Sequence, residues 1–204
     1  RLPRYGVTAF CPTTVACAPT ALVSVLTQVA RARHRPDLRG ARVLRAHLES
    51  NFISAEFRGA QPVACLRCPD AHVPDGTFSG LDILQVIAAH GAEVGIVTVA
   101  PDVQGVIELI PTLVSAGHRV SLGHSGASFD TAVAAFEAGA THVTHLFNRM
   151  SPMDHRAPGL VGAALAHDDV TVELIGDGQH VHPAACRVVV AAKSPSRVAA
   201  ISDG

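Results

Sequence analysis

The sequence predicts an α/β protein, a (β/α)8 TIM-type barrel that is incomplete in this chain, with about seven of the eight strands present in one domain spanning residues 1–204. Three observations predict it. Short apolar segments alternate with longer helical patterns, the rhythm of βα units wound around a parallel sheet. Five of the segments run into a residue that can bind a metal or carry a proton, namely Glu49, His124, His145, Asp177 and Asp203. Polar chemistry set repeatedly at the C-terminal end of a buried strand marks the mouth of such a barrel, where its active site is built. Finally, 204 residues with 48% hydrophobic content suffice for one sizeable core. Together these point to a metal-dependent hydrolase.

The elements follow in order. A strand at 7–10 leads to a helix over about 20–35. The strand at 43–48 opens a loop from 49 to 78 rich in Pro, Gly and Cys, and a loop of that length inside a compact domain is usually functional. A helix near 81–90, a strand at 94–99 and a helix at about 103–116 come next. A strand at 119–122, a helix at 129–138 and strands at 141–144 and 171–175 continue the series, which a helix at 183–192 and a strand at 197–201 complete. Gly91, Gly117 and Gly139 each follow a helical pattern where a left-handed residue ends it, and Asp102 and Ser128 stand at N-cap positions. Seven strands fall short of closure, so the chain reads as a barrel fragment lacking at least one strand before Arg1 and a helix after Gly204.

Composition narrows the function classes. The longest apolar runs, such as that at 94–100, are far shorter than the roughly 20 residues that cross a bilayer, and the first residues carry no secretory signal pattern. The expectation is a cytoplasmic protein with no membrane partner. A formal net charge of -1 with scattered Lys and Arg offers no basic face for nucleic acid. Five cysteines without framework spacing fit reduced thiols, and the CxxC of Cys65 and Cys68 has no second pair to complete a zinc site.

Glu49, His124 and His145 follow three different strands and are expected to converge above the barrel as one carboxylate and two imidazoles, a donor set for zinc or a similar divalent ion with a position left for water. Asp203, at the end of the last strand, is expected across the mouth as the proton acceptor that then protonates a leaving group. His34, His72, His90, His118 and His167 read as solvated or capping residues. His47 and His142 are expected on the opposite strand faces from the ligands, in supporting or packing roles.

At these residues the sequence resembles the N-acetylglucosamine-6-phosphate deacetylase family of the amidohydrolase superfamily. The resemblance runs through essentially the whole chain and is strongest in VSLGHS at 120–125, THVTHLFN at 141–148, RAPGLVG at 156–162, DGQHVH at 177–182 and ISDG at 201–204. It implies a barrel of the metal-dependent amidohydrolase type. By resemblance, Glu49, His124 and His145 match the family's metal ligands, and Asp203 matches its general base and acid. Asn148 and Arg149 fall where the family contacts the sugar phosphate, Ala60 and Gln61 fall in a substrate-contacting loop, and His180 matches a substrate-binding histidine. Arg156 matches an arginine that reaches the phosphate, often across a dimer interface, and a guanidinium suits a phosphate dianion.

The resemblance further implies a divalent cofactor, zinc first with iron, cobalt or manganese as alternatives, an amino-sugar phosphate as the small-molecule partner, and a homodimer. The implied reaction is deacetylation of N-acetyl-D-glucosamine 6-phosphate in amino-sugar catabolism. The alternatives are another amidohydrolase acting on a related amide and a catalytically inactive remnant. Three departures from the family pattern stand out. Ser50 and Asn51 replace a Gly-Pro turn after the glutamate, Gln61 stands where the family has histidine, and Arg149 stands where it usually has alanine.

Overall fold

The structure, a computed structural model, describes residues 2–35, 39–70 and 77–203. His72, Arg1 and Gly204, with the 71–76 stretch of the long loop, lie outside the described residues. In chain order the elements are β1 (Ala9–Phe10), β2 (Thr13–Thr14), α1 (Pro19–His34), β3 (Arg42–Val43), β4 (Ala46–Glu49), α2 (Gly80–Ala89), β5 (Val94–Val99) and α3 (Val106–Ser115). They continue with β6 (Arg119–Leu122), α4 (Phe129–Glu137), β7 (His142–Val143), α5 (Gly159–Ala166), β8 (Thr171–Ile175), α6 (Pro183–Ala192) and β9 (Val198–Ile201).

Seven strands form one parallel sheet in the order β2-β4-β5-β6-β7-β8-β9, the incomplete barrel expected from the sequence. The first strand differs from expectation. Instead of one strand at 7–10, β1 pairs with β3 in a small two-stranded sheet, and β2 begins the main sheet only after Pro12. Proline has no N–H to give a ladder, so it divides the segment, while its carbonyl still accepts from His47 N–H at 2.9 Å.

Strand alternation sorts the side chains. Leu48, Val97, Val99, Val120, Leu122, Val143, Val172 and Leu174 join the core shared with the helices, meeting Leu26, Ile83, Ile110 and Leu160. Each such side chain contributes roughly 1.5–3 kcal/mol by leaving water. The opposite face carries polar residues, among them His47, Thr98, Ser121, His142, Thr144 and Glu173, all buried.

One helix escapes the sequence pattern. Six of the eight residues of α5 are buried, from Gly159 to Ala164, so the helix is apolar all round and shows no amphipathic period. Its end is satisfied from outside, since Lys193 Nζ donates to Ala164 O at 3.0 Å and also to His167 O. Ser128 caps α4 as expected, accepting from Thr131 N–H at 3.1 Å. Asp102 does not cap α3, which starts from Gly105 in a left-handed conformation. Its carboxylate accepts from Ser125 Oγ and from Gly126 N–H instead. Gly117 and Gly139 do end helices with positive φ, whereas Gly91 opens a short 3-10 turn. His118 is buried rather than solvated. Its backbone N–H closes the end of α3 onto Leu113 O, and its Nδ1 lies 3.1 Å from Val94 O.

The long loop after Glu49 is tied down by named side chains. Asn51 Nδ2 donates to Cys17 O (2.8 Å) and Cys65 O (2.7 Å), and Ser50 Oγ donates to Thr98 O (2.6 Å). Neither residue takes a positive φ, so the turn that a glycine could serve is made here by side-chain hydrogen bonds. Buried Arg67 donates to the carbonyls of Phe78, Ala64 and Leu66, with its guanidinium 4.1 Å above the Phe78 ring.

Candidate metal centre

Glu49 ends β4, and His124 and His145 lie just beyond β6 and β7, so three separate strands deliver one side chain each to the same end of the sheet. His124 Nε2 is 2.9 Å from Glu49 Oε1, His145 Nε2 is 3.1 Å from the same oxygen, and the two imidazole Nε2 atoms are 3.0 Å apart. The rings meet edge to face, at 74° and 4.8 Å between centroids. Both histidines are buried, and both have a left-handed backbone, at φ 49° and 31°. Side chains on L-residues rarely occupy that region, and its cost is met where the surroundings fix a functional geometry.

Proton accounting identifies the kind of ligand that fits. Phe57 O, 2.9 Å from His124 Nδ1, can only accept, so neutral His124 keeps its proton on Nδ1 and presents a lone pair at Nε2. Glu49 is also an acceptor. Two lone-pair atoms and the second Nε2 thus meet at 2.9–3.1 Å with at most one proton from His145 among them. Two atoms each about 2.0–2.1 Å from a tetrahedral zinc lie about 3.3 Å apart, close to these spacings. The donor set therefore fits a divalent cation, and it is the one cluster of metal-ligating groups among the described residues.

The electrostatics agree. Burial alone would raise the Glu49 carboxyl, yet its close contacts with the His124 and His145 imidazoles hold it well below the usual carboxylate range. Burial alone would lower the His145 imidazole, but its hydrogen bond to Glu49 and the negative charges of Glu49 and Asp203 leave it raised. Asp203 is exposed beyond β9 with φ 55°, near enough for its charge to act on that ring.

The remaining expected residues distribute unevenly. Gln61 is buried, with Nε2 donating to Glu49 Oε2 and Oε1 accepting from Ala16 N–H at 2.7 Å, so its amide braces the carboxylate rather than facing outward. Ala60, beside it, is exposed. Asn148 folds back on the ligand loop, donating through Nδ2 to His145 O (3.2 Å), while the Arg149 side chain lies against Gly59. Asp177 accepts from His180 N–H and Gln179 N–H at 2.9 Å and faces His180 Nδ1 at 2.7 Å. Those hydrogen bonds, the one from His180 N–H foremost, pull its carboxyl down to about 2. His180 is left with Nε2 free to accept. Arg156 sits on an exposed loop, where its Nε lies 3.0 Å from His155 Nε2, and none of its hydrogen bonds among the described residues reaches the cluster.

His47 and His142 require a correction. They are not on the far faces of their strands. His47 shares the face of Glu49 by the two-residue period and lies 2.6 Å from Thr98 Oγ1, which lies 2.7 Å from Thr144 Oγ1. His142 Nε2 lies 3.1 Å from Glu173 Oε1. This polar floor beneath the cluster, Glu173 above all, was missed in the sequence. The available signal was a carboxylate in mid-strand within the apolar run VELI at 172–175.

No protein-family model matches the chain. The chain is 42% identical over 196 residues to N-acetylglucosamine-6-phosphate deacetylase of Rattus norvegicus, a match covering 92% of this chain and 45% of the relative. It is 36% identical over 182 residues to N-acetylgalactosamine-6-phosphate deacetylase of Escherichia coli O157:H7, covering 89% and 46%. The crystal structure of N-acetyl-D-glucosamine-6-phosphate deacetylase from Mycobacterium smegmatis superposes with a TM-score of 0.83 at 34% identity, over 97% of this chain and 48% of that one. A variant of that enzyme in complex with N-acetyl-D-glucosamine 6-phosphate superposes at 0.80 and 34% identity, over 95% and 47%. The chain spans about half the length of the relatives it matches.

Proposed function

We propose, for a chain similar to the N-acetylglucosamine-6-phosphate deacetylases across 92% of its length, that the protein removes the acetyl group of N-acetyl-D-glucosamine 6-phosphate to give D-glucosamine 6-phosphate and acetate. The observation that carries this reading is the convergence of Glu49, His124 and His145, with every ligand atom within 4.8 Å of the others, at the ends of three parallel strands.

Glu49, His124 and His145 would hold a divalent cation, zinc by preference with iron, cobalt or manganese as alternatives, which would supply Lewis acidity toward the amide carbonyl and acidify water. Glu49 brings the one negative charge of the ligand set, and Gln61 keeps that carboxylate oriented. Asp203 takes the proton of the attacking water and delivers it to the departing nitrogen, which is a poor leaving group until protonated. His180, oriented by Asp177, offers Nε2 to a sugar hydroxyl. Asn148, Arg149 and Ala60 border the sugar, with Gln61 acting beneath them through Glu49. Arg156, exposed on its loop, is suited to a phosphate brought to it within a homodimer.

Among the described residues no helix is long and apolar enough to cross a membrane; the location we propose is the cytoplasm. A second reading, deacetylation of the galactosamine epimer, is favoured by the similarity to the E. coli O157:H7 relative. Acetate release from both epimers by the intact protein, against its Asp203→Asn variant, tests both readings. No release above the variant from either substrate rules out the enzyme.

A further inference from the structure

The strongest unassigned feature is a buried carboxylate directly beneath the metal cluster. Glu173 stands mid-strand in β8 with its side chain 7% exposed, a position where an ionised group persists only when its lone pairs are occupied. Its Oε2 accepts from His145 N–H at 3.3 Å, its Oε1 lies 3.1 Å from His142 Nε2, and its own carbonyl accepts from Leu146 N–H at 2.8 Å. One residue thus takes two consecutive backbone N–H groups on the turn that carries His145.

That turn is the strained one. His145 has φ 31°, which the chain adopts only if something holds it, and β7 is just two residues long, so the ladder cannot. Among the described residues His145 Nδ1 has no hydrogen-bond partner, so the ring is not oriented by its second nitrogen, as metal-binding imidazoles usually are. His124 differs, because Phe57 O holds its Nδ1. The aim of the His145 ring therefore falls to its backbone, and its backbone falls to Glu173.

We propose that Glu173, itself fixed by His142, is a positioning residue that sets the left-handed backbone of His145 and so the direction of its Nε2 toward the cation. The inference rests on the metal-centre reading given above. The carboxylate never meets the cation. It acts by presenting one oxygen to the main chain and the other to an imidazole, an arrangement a carboxamide reproduces only if His142 moves its proton to Nδ1 and accepts at Nε2.

The test measures zinc affinity of the metal-stripped intact protein by competition with a chromophoric chelator, together with the visible spectrum of the cobalt(II)-loaded form. Glu173→Gln is expected to weaken zinc by about 10–100-fold, the range for residues that orient ligands, and to alter the cobalt ligand-field bands. At saturating metal, kcat falls while KM holds. Glu173→Asp keeps the charge but withdraws both oxygens by a methylene, and a several-fold weakening is expected of it; it also serves should the Gln variant not fold. Leu174→Ala, on the other face of β8, controls for general damage, with a lower melting temperature and unchanged zinc affinity expected. Wild-type zinc affinity in both Glu173 variants, or equal weakening in Leu174→Ala, overturns the inference. Glu49→Gln separates the two layers, because unchanged zinc affinity there sinks the metal centre itself, whereas loss there with none at Glu173 sinks only the positioning role.

Discussion

His124 Nε2 and His145 Nε2 lie 3.0 Å apart although 21 residues separate them in the chain, and each is carried on a backbone turned into the left-handed region just past the end of its strand. Consecutive strands of a parallel sheet bring such positions together automatically, and the left-handed turn rotates each ring off the strand direction toward its neighbour. Glu49 completes the arrangement from β4, so the cluster depends on β4, β6 and β7 keeping their order.

Removing the acceptor charge is the sharpest probe of this centre. Glu49→Gln is expected to lower zinc affinity by at least about 100-fold, since the set loses its one anionic ligand and a carboxamide is a weaker donor. Metal content after dialysis against a chelator measures it.

The same carboxylate makes the metal-free protein acid-sensitive. Its folded pKa lies below the unfolded value of about 4.3, so the stability it lends is fully present above that pH and is lost as pH falls toward the folded value. Denaturant midpoints of the metal-free wild type, less those of Glu49→Gln, are therefore expected to hold steady from about pH 5 to about pH 6.5, to shrink below about pH 4.3, and to shrink again as pH rises through the raised pKa of His145. A difference that grows as pH falls below about 5 contradicts the assigned ionisation.

On the proposed mechanism, proton transfer and metal binding separate at Asp203. Asp203→Asn is expected to reduce kcat by about 10²–10⁴-fold while leaving metal content intact, because its charge reaches the His145 ring without serving as a strand-end ligand. Steady-state deacetylation paired with metal analysis decides between this and a ligand role.

In the proposed function Arg156 recognises the phosphate. Losing a charge-assisted contact of roughly 1.5–3 kcal/mol raises KM by about 10–100-fold, so Arg156→Ala is expected to do so for the 6-phosphate substrate and to leave hydrolysis of the unphosphorylated amino sugar unchanged. Equal effects on both substrates remove the assignment.

Helix α2 and the loop after Glu49 meet at Gly80, where a Cβ would stand 2.1 Å from Cys68 O. Backbone atoms must shift to admit it, so Gly80→Ala is expected to destabilise the fold by about 1–3 kcal/mol in urea titrations. The Ser79 and Asp82 capping box at the start of α2 leaves the helix little freedom to move aside.

Much of this was legible along the chain. The strands at 94–99, 119–122 and 171–175 lie where apolar runs placed them, because the face packed beneath the helices draws an apolar residue at every second position, and the sheet keeps the predicted parallel order. The cluster residues were legible because each follows such a run. Helix α5 was not, since a helix buried on every side has no period to read, and neither was the division of the first strand at Pro12.

The sequence by itself determined the alternation of elements, the strand-end position of Glu49, His124, His145 and Asp203, and the chemistry those side chains can perform, since these depend only on local pattern and residue type. Tertiary structure alone decided that Gln61 turns inward to brace Glu49, that His47 and His142 lie under the cluster, and that Glu173 grips the His145 turn. Those facts are pairings between groups far apart in the chain, and which buried donor finds which acceptor is settled only when the sheet curls and water is excluded.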